Sequence, residues 1–333
     1  MTKDHPVGLP RLAIVAPCYN EEAVLPVSSR LFADKLQSLI DSGKVSPTSQ
    51  LIFVDDGSSD RTWQIIESLS ASPLVGGIRL TRNYGHQNAL LAGLMSVRKE
   101  FDITISADAD GQDDIDAIGG FVDQYLNGYD VVYGVRSSRK KDTAFKRLTA
   151  QSYYRLLSSM GVKTVYNHAD YRLLSKQALS VLAQYHESNL FLRGLVPLVG
   201  LQTSTVEYAR SERLAGTSKY PFSKMLALAI RGVTSFSSKP LRAITVLGLS
   251  VSVLSLAAII WVLVTYFMGR SVPGWTSTTV AIFLMGGLQL FSLGMIGEYV
   301  AKVFDEVKHR PRFTIGETTD GVPMAADDNQ GGA

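Results

Sequence analysis

One cysteine, Cys18, stands among 333 residues. It cannot close an internal disulfide, and a cysteine-rich zinc site is excluded with it, which points to a reducing or redox-indifferent setting. A charge excess is missing too: 33 Lys and Arg against 30 Asp and Glu leave a formal net charge of +3. That balance carries no electrostatic footprint for nucleic acid, and no nucleic-acid partner is expected. The opening MTKDHPVGLPRL has no apolar stretch ahead of a small-residue cleavage site, so no secretory signal is expected. No G-x-G-x-x-G follows the first strand-like run, which removes the dinucleotide fingerprint of an oxidoreductase. With 46% hydrophobic and 19% charged residues, the chain is neither disordered nor a small stapled module.

The apolar residues are unevenly spread. From Ala243 to Met268 no ionisable group occurs other than Tyr266, a run longer than the roughly 20 residues that a bilayer crossing needs. A second uncharged run, Thr276 to Gly297, carries Gly286, Gly287 and Gly294 and the single amide Gln289, a composition suited to close helix packing in lipid. The connection GRSVPGW admits only a tight hairpin. Arg231, Lys239 and Arg242 precede the pair, and Lys302, Lys308, Arg310 and Arg312 follow it, against Arg270 alone in the turn. The positive-inside rule therefore puts both ends in the cytoplasm.

Before the pair, Phe222, Met225, Leu226, Ala229 and Val233 fall on one helical stripe. A surface helix packed on a domain shares that pattern, but the place just ahead of a membrane span favours an amphipathic helix in the interface. The predicted organisation is a cytoplasmic domain over 1–220, an interfacial segment over 221–240 and a transmembrane hairpin over 241–303, with helices at 241–268 and 276–298. A cytoplasmic tail over 304–333 follows, expected to be partly disordered after Ile315 because Glu317, Asp320, Asp327 and Asp328 have no basic counterpart there.

Within the first domain, LAIVAPCYN, QLIFVDDGSSD, IRLTRNYG, ITISADADGQDD and YDVVYGVR alternate with segments of helical period. This beat predicts an α/β fold with a mainly parallel sheet covered on both faces. Ligands in such sheets sit outside the carboxyl ends of the strands. Three of those ends carry acids: Glu21 and Glu22 beyond Asn20, Asp55 with Asp56, and Asp108 with Asp110.

Asp108 and Asp110 lie one residue apart just past a strand, where alternation sends both side chains the same way. A pair of this kind suits a hard cation, Mg²⁺ or Mn²⁺, which takes one or two carboxylates and completes its shell with substrate phosphates and water. A lone D-x-D also fits a capped turn; the three acidic strand ends together favour the cation. DDGSSD is at once a turn, with Ser58 or Ser59 placed to cap a helix, and a site where Asp55 accepts from a base or ribose. His86 is open between a capping and a ligand-facing role. Basic residues gather at Arg136, Arg139 to Lys141, Lys146 and Arg147, and again at Arg210, Arg213 and Lys219, where a lipid phosphate would present itself.

Read together and in this order, PCYNEE (17–22), VDDGSSDRT (54–62), RNYGHQNALLAG (82–93), DADGQD (108–113), DYRLLSKQAL (170–179), RSERLAGTSKYPFSKM (210–225), FSSKPLR (236–242) and GEYVAKVFDEVKHRPRF (297–313) are specific. The chain resembles the family 2 glycosyltransferases of the polyprenyl-phosphate branch, which includes dolichol-phosphate mannosyltransferases and undecaprenyl-phosphate glucosyltransferases. The resemblance covers roughly residues 10–315.

It implies a Rossmann-like GT-A domain that transfers a hexose, with inversion, from a nucleotide diphosphate sugar to a polyprenyl phosphate, undecaprenyl or dolichyl. UDP-glucose comes first as donor and GDP-mannose second. It further implies an integral membrane protein with a cytoplasmic catalytic domain, in a bacterial inner membrane, assembled as a homotetramer and dependent on Mg²⁺ or Mn²⁺.

By motif match, Pro17, Tyr19, Glu21, Asp55, Asp56, Asp108, Ala109 and Arg136 line the nucleotide-sugar pocket, and Asp110 and Gln112 hold the metal. Arg147, Arg172, Arg210, Arg213 and Lys219 contact phosphate or acceptor. Asp170 joins Asp108 and Asp110 in the catalytic set, as base or as sugar holder. The branch more often has DADLQDPPE where this chain reads DADGQDDID, so Gly111 loosens the loop. No Q-x-x-R-W motif surrounds Trp63, Trp261 or Trp275, which argues against a processive polymerase. The rival reading is a membrane scaffold or lipid-linked-sugar flippase component with a nucleotide-sensing domain.

Overall fold

The computed structural model describes residues 8–136, 168–187, 192–209 and 275–322, together with scattered positions between 244 and 268. The chain divides into two compact units, one built on residues up to 220 together with those from 310 onward, the other chiefly on 221–309.

The first unit is one eight-stranded sheet. Its strands are β1 (Leu12–Cys18), β2 (Gln50–Asp55), β3 (Val75–Leu80), β4 (Ile103–Ser106), β5 (Val131–Arg136), β6 (His168–Ser175), β7 (Thr203–Tyr208) and β8 (Ile315–Thr318). They lie in the order β7-β5-β6-β4-β1-β2-β3-β8. All seven residues of β1 are buried, as a central strand covered on both faces requires. Helices α1 (Leu25–Asp41), α2 (Thr62–Leu69), α3 (His86–Val97) and α4 (Ala117–Leu126) follow the first, second, third and fourth strands, as the alternating pattern predicts. In α1 the buried Leu25, Phe32, Leu36 and Leu39 recur at helical spacing and form its sheet-facing stripe.

The sheet is mixed. Four of its seven pairings are parallel, those of β1 with β2 and β4, β2 with β3, and β5 with β7. The strand carrying the DYR motif, β6, runs antiparallel to both β4 and β5. It leads into α5 (Lys176–Leu182), whose first turn is capped by Ser175, the Oγ accepting from the Ala178 amide. A four-residue helical turn, α6 (Leu192–Leu195), follows before β7.

The expected partial disorder after Ile315 is corrected over residues 315–322; residues 323–333 lie outside the described residues. Ile315–Thr318 is a strand that pairs antiparallel with β3, and Thr319 continues the grip on Gly77. One acid of this segment meets a base on the neighbouring strand, with Arg79 Nη1 at 3.4 Å from Glu317 Oε2. A local charge count could not register that partner.

In the second unit the described positions between Ile244 and Val264 are helical, and α7 spans Trp275–Val307. At about 1.5 Å per residue, these 33 residues extend about 50 Å, more than the roughly 30 Å hydrocarbon core of a bilayer. Leu284–Val307 is, among the described residues, the one stretch long and apolar enough to cross a membrane. Ile282, Leu284, Phe291, Leu293, Val300 and Phe304 are all exposed in the single chain, a surface that water does not tolerate over such a length. The helix runs to Val307 rather than stopping at 298. Glu298 and Lys302, in the favourable order four residues apart, help it continue past the uncharged run. The interfacial segment 221–240 lies outside the described residues.

Candidate active site

The central strands β1, β2 and β4 are parallel, and β1 lies between the other two. Their carboxyl ends therefore open on the same edge, where loops leaving β1 and β4 part to opposite sides and form a crevice. The loops are stitched to one another. Asn20, with φ of 53°, donates its amide to Ser58 Oγ at 2.9 Å and accepts from the Ser59 amide at 2.9 Å. The Glu21 amide donates to Thr62 Oγ1 at 2.9 Å. Ser58 is thus spent on the β1 loop, and the first turn of α2 is served by Asp60, whose Oδ1 accepts from the Thr62 amide at 3.0 Å. Pro17 is buried in β1, Tyr19 is exposed at the rim, and Glu21 is half-buried.

The two adjacent aspartates do different work. Asp55 is fully buried; its Oδ1 accepts from the Ser58 amide at 3.0 Å, while its Oδ2 takes no hydrogen bond and has Arg79 Nε at 3.6 Å. Burial pushes its pKa up, opposed by the Ser58 hydrogen bonds and Arg79. Asp56 spends both oxygens on the chain itself, accepting from the amides of Tyr84 at 2.7 Å and Gly85 at 2.9 Å. Burial raises its pKa too, against those two amides. This bracket requires the 55–58 loop to touch the 82–85 loop. Gly57, at φ of 68°, allows it: a Cβ there would lie 2.5 Å from the Arg82 carbonyl carbon.

Past β4, Ala107 and Ala109 are buried while Asp108 and Asp110 are half-buried. The period-two alternation therefore persists beyond the strand, as the sequence spacing predicts. Asp110 Oδ1 accepts from the Gln112 amide at 3.1 Å, and Gly111 turns the chain with φ of 64°, so the glycine closes this loop rather than loosening it. Gln112 is buried. Among the described residues, no three His, Cys, Asp or Glu side chains form a ready metal cage.

The far side of the crevice is held by Tyr208 at the end of β7. Its hydroxyl donates to Asp113 Oδ1 at 2.9 Å and accepts from Arg136 Nε at 3.2 Å. Its ring meets Tyr171 edge-on at 5.2 Å, and the Tyr171 hydroxyl donates to the Asp114 carbonyl at 2.9 Å. Two tyrosines from β6 and β7 thus pin the acidic loop next to Arg136.

Asp170, in β6, is gripped by two guanidinium groups. Arg172 Nη2 lies 2.8 Å from Oδ1, and Arg193 donates through Nε to Oδ1 at 3.1 Å and through Nη2 to Oδ2 at 3.0 Å. Burial alone would raise the Asp170 pKa; Arg193 and Arg172 outweigh it and hold the carboxyl well below the usual range. Arg172 was expected at a phosphate. It is 1% exposed and donates its remaining contact to the Leu192 carbonyl at 3.3 Å, so its place is inside the fold. His86 begins α3 half-exposed, with Nε2 at 3.6 Å from Asp108 Oδ1. Arg147, Arg210, Arg213 and Lys219 lie outside the described residues.

Arg193, Gln87 and Tyr208 were not singled out from sequence. A signal existed for the first: a lone base inside the apolar run LFLRGLVPLV, where an unpaired charge is not tolerated.

Residues 13–182 match the glycosyl transferase family 2 domain, and residues 239–303 match the GtrB C-terminal hairpin. The chain belongs to glycosyltransferase family 2: it is a glycosyltransferase with a GT-A fold followed by a GtrB-type hairpin. It is 47% identical to the uncharacterized glycosyltransferase YkoT of Bacillus subtilis, over 92% of this chain and 91% of that one. It is 37% identical to the SfII prophage-derived bactoprenol glucosyl transferase of Shigella flexneri, over 94% of this chain and 100% of the relative. Among solved structures it is similar to glucosyl-3-phosphoglycerate synthase from Mycobacterium tuberculosis, with 19% identity and a TM-score of 0.45 over 68% of this chain and 79% of that one.

Proposed function

We propose that this protein transfers a hexose, glucose first among the candidates, from a nucleotide diphosphate sugar to a polyprenyl phosphate at the cytoplasmic face of a bacterial inner membrane. The observation that carries the donor is Asp55, a fully buried carboxylate at a strand end whose Oδ2 lacks a hydrogen-bond partner. Arg79, at 3.6 Å, offsets part of the burial cost without donating a hydrogen bond, and the N–H of a nucleobase or a ribose hydroxyl would supply the missing donor. UDP-glucose precedes GDP-mannose in this reading. The lipid acceptor is supported by similarity, over nearly the whole chain, to a bactoprenol glucosyl transferase and by the matching hairpin. Assembly as a homotetramer belongs to the same proposal.

The reaction proposed is an inverting displacement. An oxygen of the acceptor phosphate forms the bond to the anomeric carbon as the bond to the diphosphate breaks, and the electron pair departs with the nucleoside diphosphate. A phosphate monoester, with its second pKa near roughly 6, is already largely anionic at neutral pH and needs no strong base. Asp170, kept ionised by its two arginines, is suited to orient a sugar hydroxyl rather than to collect a proton. Arg136, steadied by Tyr208, offers its guanidinium to the diphosphate.

The donor set of the acidic loop fits a hard cation: the half-buried Asp110 carboxylate and the Gln112 amide oxygen, on a loop closed tightly by Gly111. Mg²⁺ or Mn²⁺ held by Asp110 and Gln112 would supply positive charge against the departing diphosphate.

The test is transfer itself. Purified protein in lipid nanodiscs with undecaprenyl phosphate, Mn²⁺ and a panel of radiolabelled nucleotide sugars should move label into organic solvent for one sugar, and Asp110→Ala should abolish it. No extractable label with any donor would overturn the assignment.

A further inference from the structure

The contacts around Asp170 reach further than the sugar carboxylate. Both backbone polar groups of Leu192 are held: its N–H donates to Gln87 Oε1 of α3 at 3.2 Å, and its carbonyl accepts from Arg172 Nη1 at 3.3 Å. The next residue is Arg193, whose planar fork engages both oxygens of Asp170. Gln87 in turn lies two residues past Gly85, which with Tyr84 has its amide fixed by Asp56. Hydrogen bonds joined by short backbone steps thus lead from Asp56 through the 84–87 corner to Asp170. Arg172 is fully interior, whereas the Arg193 side chain is 38% exposed.

We propose that Arg193 is a positioning residue for the transfer, docked by Gln87, which holds the Asp170 carboxylate in place for a hydroxyl of the donor sugar. The inference rests on the reading of Asp170 given under the proposed function. A lysine cannot reproduce the two-point grip, because an ammonium is a point charge without the planar fork. Among the described residues, the charged or titratable groups facing Asp170 are Arg172 from its own strand, Arg193 from α6 and His86 from α3.

The experiment measures donor KM, acceptor KM and kcat from pH 4 to 8 for the full chain in nanodiscs, in wild type, Arg193→Gln, Arg193→Lys, Gln87→Leu and Asp170→Asn, with His86→Gln added to each. Arg193→Gln should lower kcat/KM for the nucleotide sugar about 10- to 100-fold, the equivalent of one or two hydrogen bonds between charged groups. It should also bring an acid limb up into the assayed range, which persists in the His86→Gln background. Arg193→Lys should remove that limb without recovering the full rate. Gln87→Leu should lower donor kcat/KM less, with no new limb.

A rise in acceptor KM alone, with the pH profile of wild type, would make Arg193 a lipid-phosphate ligand and overturn the proposal. So would losses in Arg193→Lys and Gln87→Leu that only track the folded fraction in thermal melts. Asp170→Asn separates the two layers. If it transfers at the wild-type rate, the reading of Asp170 fails and the proposal fails with it. If it is impaired while Arg193→Gln keeps the wild-type profile, the role of Arg193 alone fails.

Discussion

The Tyr208 hydroxyl donates to Asp113 Oδ1 at 2.9 Å, tying the last residue of β7 to the acidic loop that follows β4. The same oxygen accepts from Arg136 Nε, so one phenol sets the spacing between an acidic loop and a base. Tyr208→Phe keeps the edge-on contact with Tyr171 and removes only this bridge. It should destabilise the domain by about 1.5–3 kcal/mol, since both hydrogen bonds lost are to charged groups, one of them the half-buried Arg136. It should also lower kcat by more than it raises donor KM, because a released Arg136 is felt most as diphosphate charge develops. Thermal unfolding and steady-state kinetics on the same preparation check both.

The raised pKa of Asp55 has a sign that stability measurements read directly. Burial is its largest cause, with the Ser58 hydrogen bonds and Arg79 opposing. The folded protein therefore binds this proton more tightly than the unfolded chain does. The resulting stabilisation is full below the unfolded value near 3.8 and is lost as pH rises through the folded value. Asp55→Asn does not titrate, so its melting temperature relative to wild type should climb between pH 4 and pH 7. Nucleotide affinity should fall about tenfold or more in the same variant, through loss of a charged acceptor. A constant melting difference across that range would show that burial of Asp55 carries no penalty.

Asp110→Asn preserves the Oδ1 that accepts from the Gln112 amide and so tests charge rather than loop shape. Transfer should drop about 100-fold or more, as when a group stabilising transition-state charge is removed. Chelation should abolish wild-type activity, and Mn²⁺ should restore it at lower concentration than the variant requires. Equal metal titration curves for the two proteins would remove Asp110 from the cation site.

What was legible in the sequence was governed by short-range rules. Strand and helix alternation up to Arg136 follows from period and turn chemistry. The outward setting of Asp108 and Asp110 follows from Ala107 and Ala109 pointing inward between them. The antiparallel β6 was not legible, because strand direction depends on which neighbours accept it in the sheet. Arg193 and Tyr208 lie 23 and 95 residues from the groups they serve, and their partners exist only once the sheet has formed. The strand β8 was hidden for the same reason. Its residues look like a polar tail until β3 supplies an edge and Arg79 a counter-charge.

Gly57 tests how tightly the two loops of the nucleotide side must meet. An alanine there faces both a φ of 68° and a Cβ 2.5 Å from the Arg82 backbone. Left-handed backbone and enforced overlap cost about 1–3 kcal/mol each. Gly57→Ala should therefore destabilise the domain more than Tyr208→Phe and should weaken nucleotide binding by separating Asp56 from the Tyr84 and Gly85 amides. Denaturant unfolding with and without nucleotide measures both effects.

Two residues of the carboxyl-terminal strand region, two positions apart, separate buried from exposed contributions. Thr319 Oγ1 accepts from the buried Gly77 amide at 2.8 Å, and the Thr319 amide donates back to the Gly77 carbonyl at 3.0 Å. Thr319→Val keeps the shape and withdraws the acceptor, leaving a buried N–H without its partner, so it should cost about 1–3 kcal/mol. Glu317 reaches Arg79 at 3.4 Å with more than half of its side chain in solvent. Glu317→Gln should therefore change stability by less than about 1 kcal/mol, and by less still in high salt. Limited proteolysis around residues 310–322 should follow the same order, with Thr319→Val cut faster than wild type and Glu317→Gln at its rate. The reverse order would mean that the segment is held to β3 by surface charge rather than by its continuation of the sheet.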